Sequence, residues 1–197
     1  MTAGRTNKDA LSQNWSTPHA YVAAVREVLG HIELDPCSNA YSVVNAATEY
    51  RLPEHDGLME SWKFSTIYVN PPYGKDHERG TRIKSWLAQC REANEQHGSE
   101  ILALVPVATN TSHWKESVWG VATAVAFLYD TRLKFLENGK TGGKGAPMSC
   151  AMIYWGEENL AAFKRVFARF GAVVDLQELK ATRLRSRSSA QGRLFSV

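Results

Sequence analysis

Apolar residues recur along this chain in two patterns, as short continuous runs and at helical spacing. The continuous runs predict buried strands over residues 31–35, 66–70, 101–106, 122–128, 149–155 and 172–176. The helical spacing predicts helices over residues 20–29, 81–96, 113–119 and 157–169. Residues 40–50 are expected to be partly helical. Because helices and strands alternate, we expect an α/β fold whose sheet is mostly parallel and covered by helices on both faces.

The length of the chain favours a single domain. A chain of 197 residues can fill one α/β domain but not two. We expect a disordered N-terminal segment over residues 1–14, the domain over residues 15–178 and a basic C-terminal tail over residues 179–197. Four glycines between residues 137 and 146 predict a flexible loop there.

Composition limits the class of protein further. With 44% hydrophobic and 22% charged residues, the chain resembles soluble globular proteins. No apolar run is long enough to cross a bilayer, and residues 1–14 lack the apolar core of a signal peptide. The three cysteines are widely spaced, which favours reduced thiols in the cytoplasm and disfavours a zinc site. We therefore expect a monomer with no bound metal and no membrane association.

The net charge is only +3, but it is distributed unevenly. From Lys180 onwards there are five basic residues and no acidic residue. Such a segment can neutralise phosphates, or it can be a solvated tail without a ligand. Composition alone does not separate these two alternatives.

The densest chemistry lies directly after the apolar run 66–69, in Asn70, Pro71, Pro72 and Tyr73. Asn70 offers a neutral carboxamide oxygen, and Pro71 offers a carbonyl whose direction the stiff Pro-Pro unit fixes. Tyr73 offers a flat ring on which a base can stack. Functional groups of open α/β sheets lie beyond the carboxyl ends of strands, where this segment is expected. The pattern indicates methylation of an exocyclic amine; its alternative is a Pro-Pro turn with a capping asparagine.

A second polar loop follows the first predicted strand. It contains Asp35, Pro36, Cys37, Ser38 and Asn39, whose short polar groups and backbone N–H donors suit a nucleotide-like cofactor. An Asx or serine turn is the simpler interpretation of this loop. The segment Trp15, Ser16, Thr17 and Pro18 opens the helix that leads into this strand, so it can lie beside the loop or act only as a helix cap.

Together, these motifs resemble the phage-type DNA N6-adenine methyltransferases, a compact Dam-like family. The likeness runs from about Trp15 to Trp155. Besides the two motifs above, it rests on Thr17-Pro18, Asp56-Gly57-Leu58, Leu104-Val105-Pro106 and Arg132-Leu133-Lys134-Phe135. The resemblance implies a compact class I (Rossmann-like) methyltransferase fold, S-adenosylmethionine as methyl donor and adenine in DNA as acceptor. A phage-encoded protein of this kind acts in the host cytoplasm.

The resemblance also assigns roles to residues. The catalytic residues it implies are Asn70, Pro71, Pro72 and Tyr73. The residues expected to bind the cofactor are Trp15, Thr17, Pro18, Asp35, Pro36, Cys37, Ser38 and Asn39. Apart from the resemblance, the charge of the loops and of the tail adds to the residues expected to contact the substrate, which are Asp56, Tyr73, Lys75, Arg79, Arg82, Lys140, Lys144, Arg183, Arg185 and Arg187. For Asp56, a turn aspartate before glycine is the alternative. In each predicted DNA-contacting loop, an ordinary solvated surface loop is the alternative.

The two motifs are unusually close together for this class. Only 34 residues separate Asp35 from Asn70, which leaves room for about one crossover, so we expect fewer strands and helices between them than in larger amine methyltransferases. The acidic residue that holds the donor ribose is left open among Glu49, Glu54 and Asp56.

Other interpretations of the same motifs remain. The same motif can serve N4 of cytosine, N2 of guanine in RNA or a protein glutamine. A DNA-binding protein without catalytic activity, built on the same fold, is an alternative from another class.

Overall fold

The computed structural model describes residues 15–129, 133–141 and 148–194, without the side chains of residues 187–194. Its helices are α1 (His19–Leu29), α2 (Ile83–His97), α3 (Ser112–Ser117), α4 (Leu160–Phe167) and α5 (Gln177–Leu194). Its strands are β1 (Trp15–Ser16), β2 (Leu34–Asp35), β3 (Thr48–Glu49), β4 (Thr66–Val69), β5 (Glu100–Pro106), β6 (Ala124–Leu128), β7 (Leu136–Glu137), β8 (Cys150–Trp155) and β9 (Gly171–Asp175). The predicted segment 1–14 lies outside the described residues.

Seven strands form one mixed sheet in the order β3-β2-β4-β5-β8-β6-β9. The pairs from β3 to β5 are parallel, whereas β5–β8, β8–β6 and β6–β9 are antiparallel. The expectation of a mostly parallel sheet is therefore wrong for half of the neighbouring pairs. The physical reason is the connection from β6 to β8, whose described residues contain no helix. Without a crossover helix, β8 returns antiparallel between β5 and β6.

The helices lie on both faces of the sheet, as the sequence pattern predicts. On one face, α1 and α4 pack on alternate strand residues such as Tyr68 and Leu102. On the other face, α2 and α3 pack on the intervening residues such as Ile67 and Ile101. Because both faces are covered, β5 and β8 are buried along nearly their whole length, which explains their continuous apolar runs.

Residues 40–50 are not helical, contrary to the prediction. Asn39 Oδ1 accepts a hydrogen bond from the Tyr41 N–H at 2.8 Å, and Ser42 Oγ accepts one from the Val44 N–H at 3.2 Å. Such local bonds compete with a helix for the backbone donors. Asn45 also has a positive φ of 46°, which a right-handed helix does not accommodate. The segment is therefore a series of turns that ends in β3.

The start of the predicted flexible loop 137–146 is a hairpin turn. Asn138 and Gly139 have φ values of 52° and 73°, as a two-residue hairpin turn with positive φ at both positions requires. Glu137 and Lys140 exchange both backbone hydrogen bonds at 3.1 Å. Strand β7 pairs antiparallel with β1, so the hairpin holds Trp15 and Ser16 in place. Residues 142–147 lie outside the described residues.

The basic C-terminal residues begin within a helix. Helix α5 starts at Gln177 and runs across the predicted boundary between residues 178 and 179. The Arg183 guanidinium donates to the carbonyls of Lys115 at 3.1 Å and Trp119 at 2.6 Å, so it joins α5 to the end of α3. Over the described residues, none of the helices is both long and apolar enough to cross a membrane.

Candidate functional site

In the described sheet, the connections that follow the neighbouring strands β2 and β4 lead to opposite sides. From β2 the chain goes to β3 on one side, and it then passes back to β4 on the other side. In open α/β sheets such a position forms a crevice at the carboxyl ends of the strands. Here β2 ends at Asp35 and β4 ends just before Asn70, so both sequence motifs meet at this crevice.

A shallow, solvent-open cleft occupies this position. It is lined by Trp15, Ser16, Thr17, Asp35, Cys37, Ser38, Asn39, Ser42, Val44 and Asn70. Six of the eight residues predicted to bind a cofactor are among them. The other two, Pro18 and Pro36, support the walls instead. The Pro18 carbonyl accepts the first backbone hydrogen bonds of α1, and the buried Pro36 backs the loop after β2.

Asp35 dominates the electrostatics of the cleft. The residue is only 4% exposed, and this burial raises the pKa of Asp35 to about 7. The Cys37 N–H donates to Asp35 Oδ1 at 3.1 Å, which opposes the shift, and the nearby Glu49 carboxylate adds to it. The cleft therefore contains a carboxyl group that gains from any cationic ligand, because such a ligand favours the charged form.

Cys37 belongs to the loop after β2 and contacts Asn70 of the other motif. Burial, together with the neighbouring Asp35 carboxylate, raises the pKa of the Cys37 thiol well above its ordinary value, whereas the Asn70 backbone N–H next to the sulfur lowers it. The thiol therefore stays protonated at neutral pH and is a weak nucleophile. In the cleft, Cys37 packs beside Asn70 and accepts a hydrogen bond from its backbone N–H, which joins the loop after β2 to the segment Asn70–Tyr73.

The segment Asn70–Tyr73 turns from the cleft into the protein. Asn70 is half-buried and lines the cleft, and Pro71 is buried. The Tyr73 hydroxyl donates to the Leu104 carbonyl of β5 at 3.1 Å. Its ring packs edge-on against Phe135, with 5.8 Å between the centroids. Tyr73 is therefore anchored at its hydroxyl, and the orientation of its ring is fixed.

An aromatic group connects the motif with the wall of the cleft. Phe135 also stacks on Trp15, with 5.4 Å between the centroids and 13° between the planes. Thr17 Oγ1 and the Tyr68 hydroxyl are 2.7 Å apart, and both residues are buried. Trp15 and Thr17 are thus held by contacts with two sequence-distant elements, in addition to the pairing of β1 with β7.

Several residues of the site escaped the prediction. Ser16, Ser42 and Val44 line the cleft but were not among the predicted site residues. Ser42 and Val44 fall in the segment 40–50, for which the sequence pattern wrongly predicts helix instead of a loop beside the cleft. Asn39 and Ser42 have short polar side chains that favour turns by bonding to the nearby backbone. Their presence is the sequence signal that indicates turns in this segment.

One of the three candidate acidic residues lies beside the cleft. Glu49 ends β3, next to Asp35 on β2, and accepts a hydrogen bond from Ser42 Oγ at 3.3 Å. It also forms an ion pair with Arg51. Glu54 is exposed, and Asp56 is not among the residues that line the cleft.

The predicted DNA-contacting residues fall into two groups. Lys75, Arg82 and Lys140 are exposed on loops, and Arg185 is exposed on α5. In contrast, Arg79 binds the carboxylates of Asp56 and Asp76, and Arg183 binds carbonyls at the end of α3. Lys144 and the side chain of Arg187 lie outside the described residues. Among the residues that the structure describes, no cluster of three or more histidine, cysteine or acidic side chains is arranged to hold a metal ion.

The chain is thus an α/β protein with a polar cleft at the carboxyl edge of its sheet. A family model described as DNA N-6-adenine-methyltransferase (Dam) matches residues 4–182. The chain therefore belongs to this family, and the activity that the membership indicates is methylation of adenine N6 in DNA. A search among curated proteins finds no match.

Proposed function

We propose that this protein transfers the methyl group of S-adenosylmethionine to N6 of adenine in DNA. In this proposal the cleft at β2 and β4 binds the donor, and Asn70, Pro71, Pro72 and Tyr73 receive the flipped base. One observation carries the proposal: four of the five residues 35–39 line the same cleft as Asn70, at the position where the connections from β2 and β4 diverge. We also propose that the fold is a reduced class I (Rossmann-like) fold and that the protein acts as a monomer.

The residues of the cleft fit this donor. S-adenosylmethionine carries an ammonium group, ribose hydroxyls and a sulfonium-bound methyl group that it supplies to the acceptor. The buried Asp35 carboxyl suits the cationic part, because an adjacent positive charge favours its ionised form. Glu49 is the best placed of the three acidic candidates to accept hydrogen bonds from the ribose, since it ends the strand next to β2. Ser38 and Asn39 add short polar groups.

Asn70 and Pro71 activate the target amine by accepting its hydrogen bonds. The lone pair of adenine N6 is delocalised into the ring, which makes this nitrogen a poor nucleophile. When the Asn70 side-chain oxygen and the Pro71 carbonyl accept the two N–H groups, a pyramidal nitrogen with a localised lone pair is favoured. No strong base is required before transfer, because the amine becomes acidic only after methylation. The catalysis is therefore mainly positioning and electrostatics.

Tyr73 offers the surface on which the base stacks after it leaves the helix. Flipping a base costs a few kcal/mol, and stacking on an aromatic side chain returns about 1–3 kcal/mol. The hydroxyl of Tyr73 is bound to Leu104 and its ring is held by Phe135, so the ring does not need to be ordered when the base arrives.

We propose that basic residues on three segments of the chain supply the phosphate contacts. We assign this role to Lys75 and Arg82 on the loop after the motif, Lys140 on the hairpin, and Arg185 and Arg187 on α5. Together with Lys144, they neutralise phosphates without reading bases. We further propose that recognition involves a short or relaxed target sequence.

The test is a methyl-transfer assay with labelled S-adenosylmethionine and three acceptors: unmethylated DNA, RNA and protein. Mass analysis of the hydrolysed products identifies the methylated group. We expect N6-methyladenine from DNA. A product limited to N4-methylcytosine, methylated RNA or methylated glutamine would assign the same motif to another amine. Binding of DNA without donor binding or transfer would instead favour a DNA-binding protein without catalytic activity.

A further inference from the structure

Arg79 joins two loops that the proposed function assigns to different substrates. Its Nη1 lies 2.9 Å from Asp56 Oδ2, and its Nε lies 2.8 Å from Asp76 Oδ2. The three side chains are only 24%, 25% and 17% exposed. Arginine suits this arrangement because its planar fork of donors can satisfy two carboxylates at once.

On one side of this bridge lies the loop that directly follows Asn70–Tyr73. Asp76 Oδ1 accepts the N–H groups of Glu78 and Arg79, both at 3.0 Å. The Asp76 N–H donates to the Thr81 carbonyl at 3.0 Å. These bonds fold residues 76–81 into a compact loop, which presents Lys75 and Arg82 at its ends. This is the DNA side of the bridge.

On the other side lies the turn that supports the donor loop. Asp56 Oδ1 accepts the Leu58 N–H at 3.0 Å, and the Gly57 carbonyl accepts the Trp62 indole N–H at 2.6 Å. Gly57 packs directly on the loop after β2, since a Cβ at this position would lie 1.7 Å from the Pro36 oxygen. The turn therefore transmits its position to the residues on either side of Pro36, which line the cleft.

The charges on the bridge make a direct phosphate contact by Arg79 unfavourable. Two carboxylates already surround the guanidinium, so the trio has a net negative charge. A phosphate would have to displace one carboxylate and approach the other. This distinguishes Arg79 from Lys75 and Arg82, which are exposed at the two ends of the same loop.

We propose that Arg79 is a positioning residue that couples donor binding to DNA binding, by holding the loop after the catalytic motif on the turn that supports the donor loop. This inference rests on the proposed function. It changes the role predicted for Arg79 and Asp56 from substrate contact to connection between the two substrate sites. Coupling of this kind is reciprocal, so each ligand strengthens the binding of the other by the same factor.

The test measures this coupling directly. Calorimetry gives the Kd of S-adenosylhomocysteine with and without saturating short duplexes of unmethylated DNA of random sequence. We expect DNA to tighten binding of this ligand in the unaltered protein by about fivefold or more, the lower end of ordinary coupling factors. Arg79→Ala and Asp76→Asn should each reduce the factor to about one, and the double variant should be no worse than either single variant, because all three break the same bridge. Glu78→Gln, an exposed residue of the same loop, is the matched control and should keep the coupling.

Asp76→Asn separates the two possible roles of Arg79. If Arg79 contacts phosphate, this substitution frees the guanidinium, so DNA binding should strengthen while Arg79→Ala flattens its salt dependence. That result would overturn the proposal, as would full coupling in either variant or its absence from the unaltered protein while both ligands bind. Arg79→Lys provides a variant that retains the charge without the fork, and thermal melting identifies loss of folding. Failure of the unaltered protein to bind S-adenosylhomocysteine or to methylate DNA would instead contradict the proposed function.

Discussion

The buried carboxyl of Asp35 makes stability depend on pH in a direction opposite to that of most acidic residues. We consider the substitution Asp35→Asn, which keeps the oxygen that accepts the Cys37 N–H but cannot ionise. The asparagine therefore represents the protonated form at every pH. Any pH dependence of the difference in unfolding free energy between the two proteins then reports the ionisation of Asp35.

The magnitude follows from the pKa of Asp35 in the two states. Burial raises the pKa to about 7 in the folded protein, whereas an unfolded chain has a value near 3.9. Between these values the folded state binds more protons, so stability is greatest at low pH and is lost as the pH rises towards 7. At about 1.4 kcal/mol per unit of pKa shift, the unaltered protein should lose about 2–3 kcal/mol relative to Asp35→Asn between about pH 5 and pH 8.

Urea unfolding of both proteins across this pH range, without donor or DNA, measures the difference. Ligands are left out because a bound cation would stabilise the carboxylate and shift its pKa. A difference that does not change with pH, or that favours the unaltered protein increasingly towards pH 8, would refute the reasoning. It would mean that Asp35 is solvated or already paired with a cation.

Three further predictions follow from the contacts of other residues. Glu100→Gln should lower the unfolding free energy by about 2–3 kcal/mol, because the Glu100 carboxylate accepts hydrogen bonds from three backbone N–H groups before α4 and from the Tyr154 hydroxyl. Chemical denaturation measures the unfolding free energy, and a loss below about 0.5 kcal/mol would contradict the prediction. Tyr73→Ala should weaken DNA binding by about 5- to 150-fold through lost stacking, whereas Tyr73→Phe should retain it; equal effects in a binding titration would exclude a stacking role. Joint replacement of Arg185 and Arg187 by alanine should reduce the slope of log affinity against log salt by about 0.9 for each lost phosphate contact, and an unchanged slope would remove α5 from the DNA site.

The regular elements could be predicted from the sequence because burial leaves a local pattern. The run Thr66–Val69 is buried on both faces of the sheet and reads as continuously apolar, so its strand was evident. The antiparallel direction of β8 is not evident from its apolar run, because strand direction depends on how the preceding connection returns the chain to the sheet. The turns at residues 40–50 were missed because the side-chain bonds of Asn39 and Ser42 outweigh the weak helical pattern.

The place where the two motifs meet could be predicted, because each motif directly follows a strand. Residues of both motifs meet in the cleft because parallel strands end at the same edge. Charged residues were harder to interpret, because a basic side chain that binds phosphate and one that binds a carboxylate look alike in sequence. In sequence, Arg79 and Arg183 both resemble DNA contacts, yet Arg79 binds Asp56 and Asp76. Arg183 donates to the carbonyls of Lys115 in α3 and of Trp119 just after it. Those partners are defined only by the tertiary structure.

The most direct test of the central claim measures N6-methyladenine formed in DNA by the unaltered protein and by Asn70→Ala. S-adenosylmethionine is the donor, and calorimetric binding of S-adenosylhomocysteine to both proteins is the control. We predict that the unaltered protein forms N6-methyladenine and that Asn70→Ala reduces the rate by about 100-fold or more while largely retaining ligand affinity. Formation of N6-methyladenine at an unchanged rate by Asn70→Ala would contradict the assigned role of Asn70, and failure of the unaltered protein to form it would contradict the proposed function.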